Sequence, residues 1–127
     1  MEKLTNKETA QAAKDAGFDG ECSHYYYTNN GKDWVYIQSE PENYNDGIGH
    51  ISRPTLHQLN DWLRNVKGLH VCVDTTLDWS KWYVTISSKS EKQWSKIGVC
   101  CDTHDQALEA GIKHGLKIVK DGNKLIV

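Results

Sequence analysis

The sequence predicts an α+β fold: a mostly antiparallel sheet of about five strands with three helices, its C-terminal part running in the order α-β-β-β-α. Three observations predict it. Three segments open with a Thr followed three residues later by Glu or Gln and then a helix-forming run, the capping-box pattern. Several short runs alternate apolar and polar residues with the period of a half-buried strand. Between two aromatic-rich runs stands Asn30-Gly31, the strongest short-range hairpin signal. At 127 residues the chain fits a single domain, residues 1–127.

The first box, Thr5-x-x-Glu8, predicts a helix over about 6–16 that stops at Gly17, with a thin apolar face made mostly of Ala. "HYYYTNNGKDWVYIQ" then reads as a hairpin. A two-residue turn at Asn30-Gly31 pairs Tyr27 with Trp34, Tyr26 with Val35 and Tyr25 with Tyr36. That register places Tyr25, Tyr27, Trp34 and Tyr36 on one face, and His24, Tyr26, Val35 and Ile37 on the other. The Val/Ile side is the natural core face.

Residues 39–53, "SEPENYNDGIGHISR", carry no element signal and read as a long connector. The second box, Thr55-x-x-Gln58, starts a helix over 56–66 with Leu56, Leu59, Leu63 and Val66 on one face. Three strands follow. "LHVCVDT" points Leu69, Val71 and Val73 inward. "WYVTISS" points Trp82, Val84 and Ile86 inward. "QWSKIGVCC" points Ile97, Val99 and Cys101 inward against Lys96 and Cys100. The third box, Thr103-x-x-Gln106, starts a helix over 104–119. Leu108, Ile112, Leu116 and Val119 form its apolar stripe, beside a small-residue stripe of Ala107, Gly111 and Gly115. Two interior glycines cost about 1 kcal/mol each against Ala, so that face is expected to approach the sheet closely.

The most chemical-looking segment is "GVCCDTHDQALEAG". A metal would need Cys100, Cys101, Asp102 and His104 to converge. Strand alternation instead sends the two cysteines to opposite faces, and His104 enters the first helical turn. Thr103 as a cap, Asp105 at the positive helix end and Gln106 in the box account for the rest. "ENYNDGIGH" resembles a calcium loop only faintly, because Arg53 stands where the bidentate Glu belongs. The six histidines fall in no nucleophile elbow, zinc-protease, P-loop or dinucleotide motif. No catalytic residues, metal ligands or cofactor are therefore nominated.

The net charge of −2 hides an asymmetry: residues 1–50 carry four Lys and nine acids, residues 51–127 eleven basic residues and eight acids. Neither half reaches the basic level that marks nucleic-acid binders. No apolar run is long enough to span a membrane. The polar start lacks a signal-peptide core, so a cytoplasmic location and four reduced cysteines are expected.

Two surfaces are candidates for binding. Tyr25, Tyr27, Trp34 and Tyr36, with the adjoining 39–53 segment, form the first, because Tyr and Trp dominate protein-interface hot spots. An unknown protein partner is its expected occupant. The alternative is nucleic acid on the 79–96 hairpin, where Trp79, Lys81, Lys89, Lys92, Trp94 and Lys96 interleave basic and stacking side chains.

The α-β-β-β-α order resembles that of double-stranded-RNA-binding domains in topology. Where those domains present a basic cluster at the last helix, this chain has the acidic "DTHDQ", so that phosphate-clamping role does not carry over. "NGKDWVYIQSEP", "PTLHQLNDWLR" and "CDTHDQALEAGIKHGL" resemble a family of small uncharacterised proteins from bacteriophages and mobile elements of gut bacteria. That resemblance implies an origin and not a mechanism, and it supplies no functional residues; the leading expectation for function is a non-catalytic accessory protein acting through protein–protein contacts.

Overall fold

The computed structural model describes the backbone of residues 3–89 and 93–121, and their side chains except those of Asn29, Ser39 and 93–100. The elements run α1 (Lys7–Asp15), β1 (Cys22–Asn29), β2 (Lys32–Glu42), a 3-10 turn (Tyr44–Asp46), β3 (His50–Ser52), α2 (Leu56–Val66), β4 (Leu69–Thr75), β5 (Trp82–Ser88), β6 (Gln93–Cys101) and α3 (His104–Lys120). The fold is α+β, as predicted. Its strands are six rather than five, and they form two antiparallel sheets rather than one, ordered β2-β1-β3 and β4-β5-β6. The hairpin does not join the C-terminal sheet because β3, hidden in the unassigned 39–53 segment, returns to the free side of β1. It pairs Tyr25 with Ser52, Tyr26 with Ile51 and Tyr27 with His50.

The main core lies between the C-terminal sheet and α2 with α3. Leu59, Leu63, Leu69, Val71, Val84, Ile86, Ile112 and Leu116 are all buried there. The inward residues of β4 and β5 are those the alternation predicts. Truncating a buried Leu of this kind costs about 2–5 kcal/mol. On α3 the small-residue face seats the helix on the sheet. A Cβ added at Gly111 would lie 2.6 Å from Val84 Cγ1 and 2.7 Å from Val71 Cγ1.

Several expectations are corrected. On α2 the buried residue is Trp62, edge-on to Phe18 at 5.4 Å, while Val66 is exposed. The cap of α1 is Asn6, whose side chain accepts from the Thr9 amide at 2.8 Å. Thr5 is buried instead and donates its hydroxyl to the Pro54 carbonyl at 2.9 Å, stitching the N-terminal segment beside the start of α2. Thr55 and Thr103 cap α2 and α3 as predicted. Gln58 does not close its box, because its amide donates to the Glu21 carbonyl.

Two register shifts interrupt β6 against β5, and one makes Cys100 an extra residue between the pairs Trp82–Cys101 and Tyr83–Val99. The alternation that was expected to separate the two cysteines breaks there. Cys101 packs at the edge of the core and is disulfide-bonded, so the expectation of four reduced thiols is corrected; Cys22 and Cys72 are free. The inward positions expected at Ile97 and Val99 lie outside the described side chains.

α1 is the bridge between the two halves. Its alanines allow close contact: Ala10 meets Tyr26 and Ile51 of the hairpin sheet, while Ala13 and Ala16 belong to the main core. Lys113 of α3 pairs with Glu8 at 2.5 Å, and the Asn6 amide donates to Glu109 at 3.0 Å. α1 covers β1 and β3 and meets β2 at the turn end, where Lys7 pairs with Asp33. Tyr26 and Ile51 are buried, whereas Val35 and Ile37, expected in the core, stand 52% and 73% exposed.

Candidate functional site on the aromatic face

The hairpin register is the one the turn dictates. Asn30 and Gly31 have φ of 53° and 76°, the left-handed pair of a type I′ turn, and Tyr27–Trp34, Tyr26–Val35 and Tyr25–Tyr36 face each other. The predicted quartet therefore shares one face of the sheet. Its members are not equivalent. Tyr25 is buried, Tyr27 half-buried, and Trp34 and Tyr36 are 51% and 41% exposed.

Tyr25 is buried because two rings cover it. Tyr44 stacks on it at 4.1 Å between centroids and Tyr36 at 5.3 Å. His50 tilts against Tyr25 at 5.3 Å and against Tyr27 at 4.8 Å. Tyr25, Tyr27, Tyr36 and His50 line a shallow groove of about 330 Å³. Trp34 stands opposite Tyr27 on the same face of the sheet. Each aromatic pair adds about 0.5–1.5 kcal/mol beyond its burial, so the cluster also stiffens the sheet.

Tyr44 and His50 were not foreseen as part of this site. Each comes from the 39–53 segment, and polar locks hold that segment in place. Asn43 caps the 3-10 turn by accepting from the Asn45 amide. The Asn45 side chain donates to the Phe18 carbonyl at 2.9 Å and accepts from the Ser52 amide at 2.8 Å. Ser52, fully buried, accepts from the Tyr44 amide at 2.9 Å. Lys14 of α1 donates to the His50 carbonyl at 2.7 Å. The segment crosses back to β1 through Gly49, with φ of 76°, whose carbonyl accepts from Thr28. Desolvation, and then the Glu42 carboxylate, hold the Tyr44 hydroxyl above the ordinary tyrosine value.

On the opposite face of the hairpin, the side α1 covers, Asp33 is fixed by Lys7 at 2.5 Å and by the Thr28 hydroxyl at 2.7 Å. Those hydrogen bonds hold its carboxyl below the usual range. The aromatic face is thus a platform of stacked rings on a braced sheet. Nothing in it pairs a nucleophile with a base.

The described members of the alternative set lie at the two ends of β5. Trp79, 82% exposed, sits with Lys81 at the β4–β5 turn, before β5 begins. Lys89 follows the far end of β5, about 20 Å away at the rise of a strand. Lys81 is ion-paired with Asp102. Lys92, and the side chains of Trp94 and Lys96, lie outside the described residues. Among the described residues, no three His, Cys, Asp or Glu side chains group as a metal would require, and no helix is long and apolar enough to cross a membrane. No protein-family model, no curated protein and no solved structure matches this chain.

Proposed function

We propose that the chain is a non-catalytic accessory protein, of the phage or mobile-element type its motifs resemble, that acts in the cytoplasm by binding another protein through the aromatic face of its hairpin sheet. The observation that carries this reading is the exposure of Trp34 and Tyr36 on a braced sheet, above a floor of Tyr25 and Tyr44. Such side chains have few torsions to freeze, and their backbone is already ordered, so they lose little entropy on binding. The groove at Tyr25, Tyr27, Tyr36 and His50 offers the partner a pocket for an anchoring side chain. Nucleic-acid binding by the 79–96 region has less support, since of its described basic residues Lys81 and Lys89 stand at opposite ends of β5 and Lys81 is ion-paired.

The test is affinity capture from the host with three forms of the full chain: unaltered, Trp34→Ala with Tyr36→Ala, and Val66→Ala as an exposed control on α2. The reading expects partners captured by the first and third forms and lost by the second, with cooperative urea transitions of unchanged m-value showing all three folded. Partners that persist on the double variant count against the aromatic face. A salt-dependent gel shift with RNA or DNA would favour the alternative.

A further inference from the structure

β2 is exposed in a way the protein-binding reading does not explain. It is an edge strand of its sheet, and Trp34, Val35, Tyr36 and Ile37 are exposed on both of its faces in succession. A partner lying on one face covers only half of them. An added strand, lying in the plane of the sheet, covers residues on both. β4 is also an edge, but one of its faces is sealed under α2 and α3, and the other presents the polar His70, Cys72 and Asp74. The usual protections of an edge, a charge or a proline within the run, are missing from residues 34–37.

The turn geometry says which groups are free. In a two-residue hairpin the flanking pair, Asn29 and Lys32, exchanges hydrogen bonds, and the pattern then alternates as far as Ile37, where a bulge interrupts it. Lys32, Trp34 and Tyr36 therefore direct their backbone groups at β1. Asp33, Val35 and Ile37 direct theirs outward, to the open edge.

We infer that β2 pairs antiparallel with β2 of a second copy of this chain, joining two hairpin sheets into one of six strands, β3-β1-β2-β2-β1-β3. The register follows from the ends of the available run. Pairing cannot extend past the turn at Gly31, and it stops at Pro41, which has no amide hydrogen to offer. The run left, 32–40, is centred on Tyr36; its pairing with β1 is regular through Ile37 and shifts register between Ile37 and Glu42. About that centre Tyr36 faces Tyr36, Val35 faces Ile37, and Lys32 faces Glu40 at both ends. Apolar residues meet apolar residues, and the two terminal charge pairs are complementary. The contact is isologous, so it closes at two copies rather than propagating. It also places both aromatic faces on the same side of the joined sheet. The inference stands independently of the protein-binding reading, and it would double the surface that reading uses.

The test is sedimentation of the full chain over a wide concentration range, with each variant's urea midpoint measured on the same sample. The unaltered chain is expected to reach twice the monomer mass. Val35→Lys with Ile37→Lys, both at exposed positions, is expected to be folded and monomeric. Lys32→Glu alone is expected to weaken the dimer about tenfold, and adding Glu40→Lys to restore it. In a Cys72→Ser background, Tyr36→Cys is expected to cross-link under mild oxidation, and Gln38→Cys to remain uncross-linked. A chain that stays monomeric at the highest concentration overturns the inference and leaves the edge to a strand of another protein. A dimer that survives Val35→Lys with Ile37→Lys, or a charge swap that fails to restore pairing, overturns it as well. Partner loss on a Tyr27→Ala, His50→Ala chain, altered on the aromatic face but away from the β2 edge, with the dimer intact would separate this inference from the protein-binding one.

Discussion

Two substitutions one helical turn apart, Gly111→Ala and Gly115→Ala, should change stability in opposite directions. Each removes a glycine from the interior of α3, and each gains about 1 kcal/mol of helix propensity. That term cancels between them, so the comparison isolates packing. At Gly111 the new methyl would stand 2.6 Å and 2.7 Å from Val84 Cγ1 and Val71 Cγ1. Both valines are buried at 1–2% exposure and branched at Cβ, so neither can swing aside. The helix must lift from the sheet, and overpacking of this kind costs about 1–3 kcal/mol. At Gly115 the nearest atom is Leu63 Cδ1 at 3.3 Å, the far end of a flexible side chain, with Val71 and Ile86 at ordinary contact distances. Most of the propensity gain survives there. We expect Gly115→Ala to be neutral to slightly stabilising, and Gly111→Ala to lie about 2 kcal/mol below it. At roughly 4 °C per kcal/mol for a domain of this size, the melting temperatures should separate by about 8 °C. Urea unfolding with unchanged m-values is the assay. A Gly111→Ala protein as stable as the parent would refute the close approach of α3 to β4 and β5.

Two further outcomes test the electrostatics. Hydrogen bonds from the Thr76 hydroxyl and from Ser80 lower the Asp78 carboxyl from 3.8 to about 2. Its contribution to stability is therefore present above the ordinary aspartate value and lost as pH falls through about 2; an NMR titration of Asp78 with a midpoint near 3.8 would contradict the turn geometry. Burial raises the Cys22 thiol to about 11, leaving roughly one thiolate in a thousand at pH 8. A disulfide reagent on the native chain should thus label the exposed Cys72 quickly and Cys22 only on unfolding; fast labelling of Cys72→Ser protein would place Cys22 at the surface.

The residues most legible in the sequence were those governed by their near neighbours. Asn30-Gly31 settled the hairpin turn, and the turn alone decided which aromatics share a face. Thr55 and Thr103 marked helix starts, and Gly111 with Gly115 announced a close contact whose partner strands were already read. What stayed hidden depended on contacts distant in sequence. Thr5 has the chemistry of a cap, but Pro54 takes its hydroxyl, so Asn6 caps α1. Val66 fits the α2 stripe as well as Leu63 does, yet on the helix's last residue it stands exposed while Leu63 is fully buried. Tyr44 and His50 join the aromatic face only because Asn45 and Ser52 fold the 39–53 segment back on β1. No local period signals that return. The alternation at Cys100 and Cys101 failed for a related reason, a bulge decided by how β6 meets β5.

The two halves of the molecule are held together by different means, and this bears on how the aromatic face is read. The C-terminal sheet with α2 and α3 owns a continuous apolar core. The hairpin sheet owns only Ala10, Tyr26 and Ile51 on its covered side, and depends on polar locks at Asn45, Ser52 and Arg53, whose guanidinium donates to the Thr5 carbonyl at 2.8 Å and lies over the Tyr26 ring. In such a sheet, residues needed for folding are recognisable by their burial. Tyr25 meets that standard; Trp34, Val35, Tyr36 and Ile37 do not. Folding therefore does not account for four consecutive large apolar residues on an open edge. Contiguous exposed apolar surface of this kind marks association. A second copy satisfies both faces and the free backbone groups of β2 at once, while a partner protein satisfies the aromatic face alone. The two modes are compatible, because the pairing that buries the edge leaves Tyr27 and His50 open on the surface of the joined sheet.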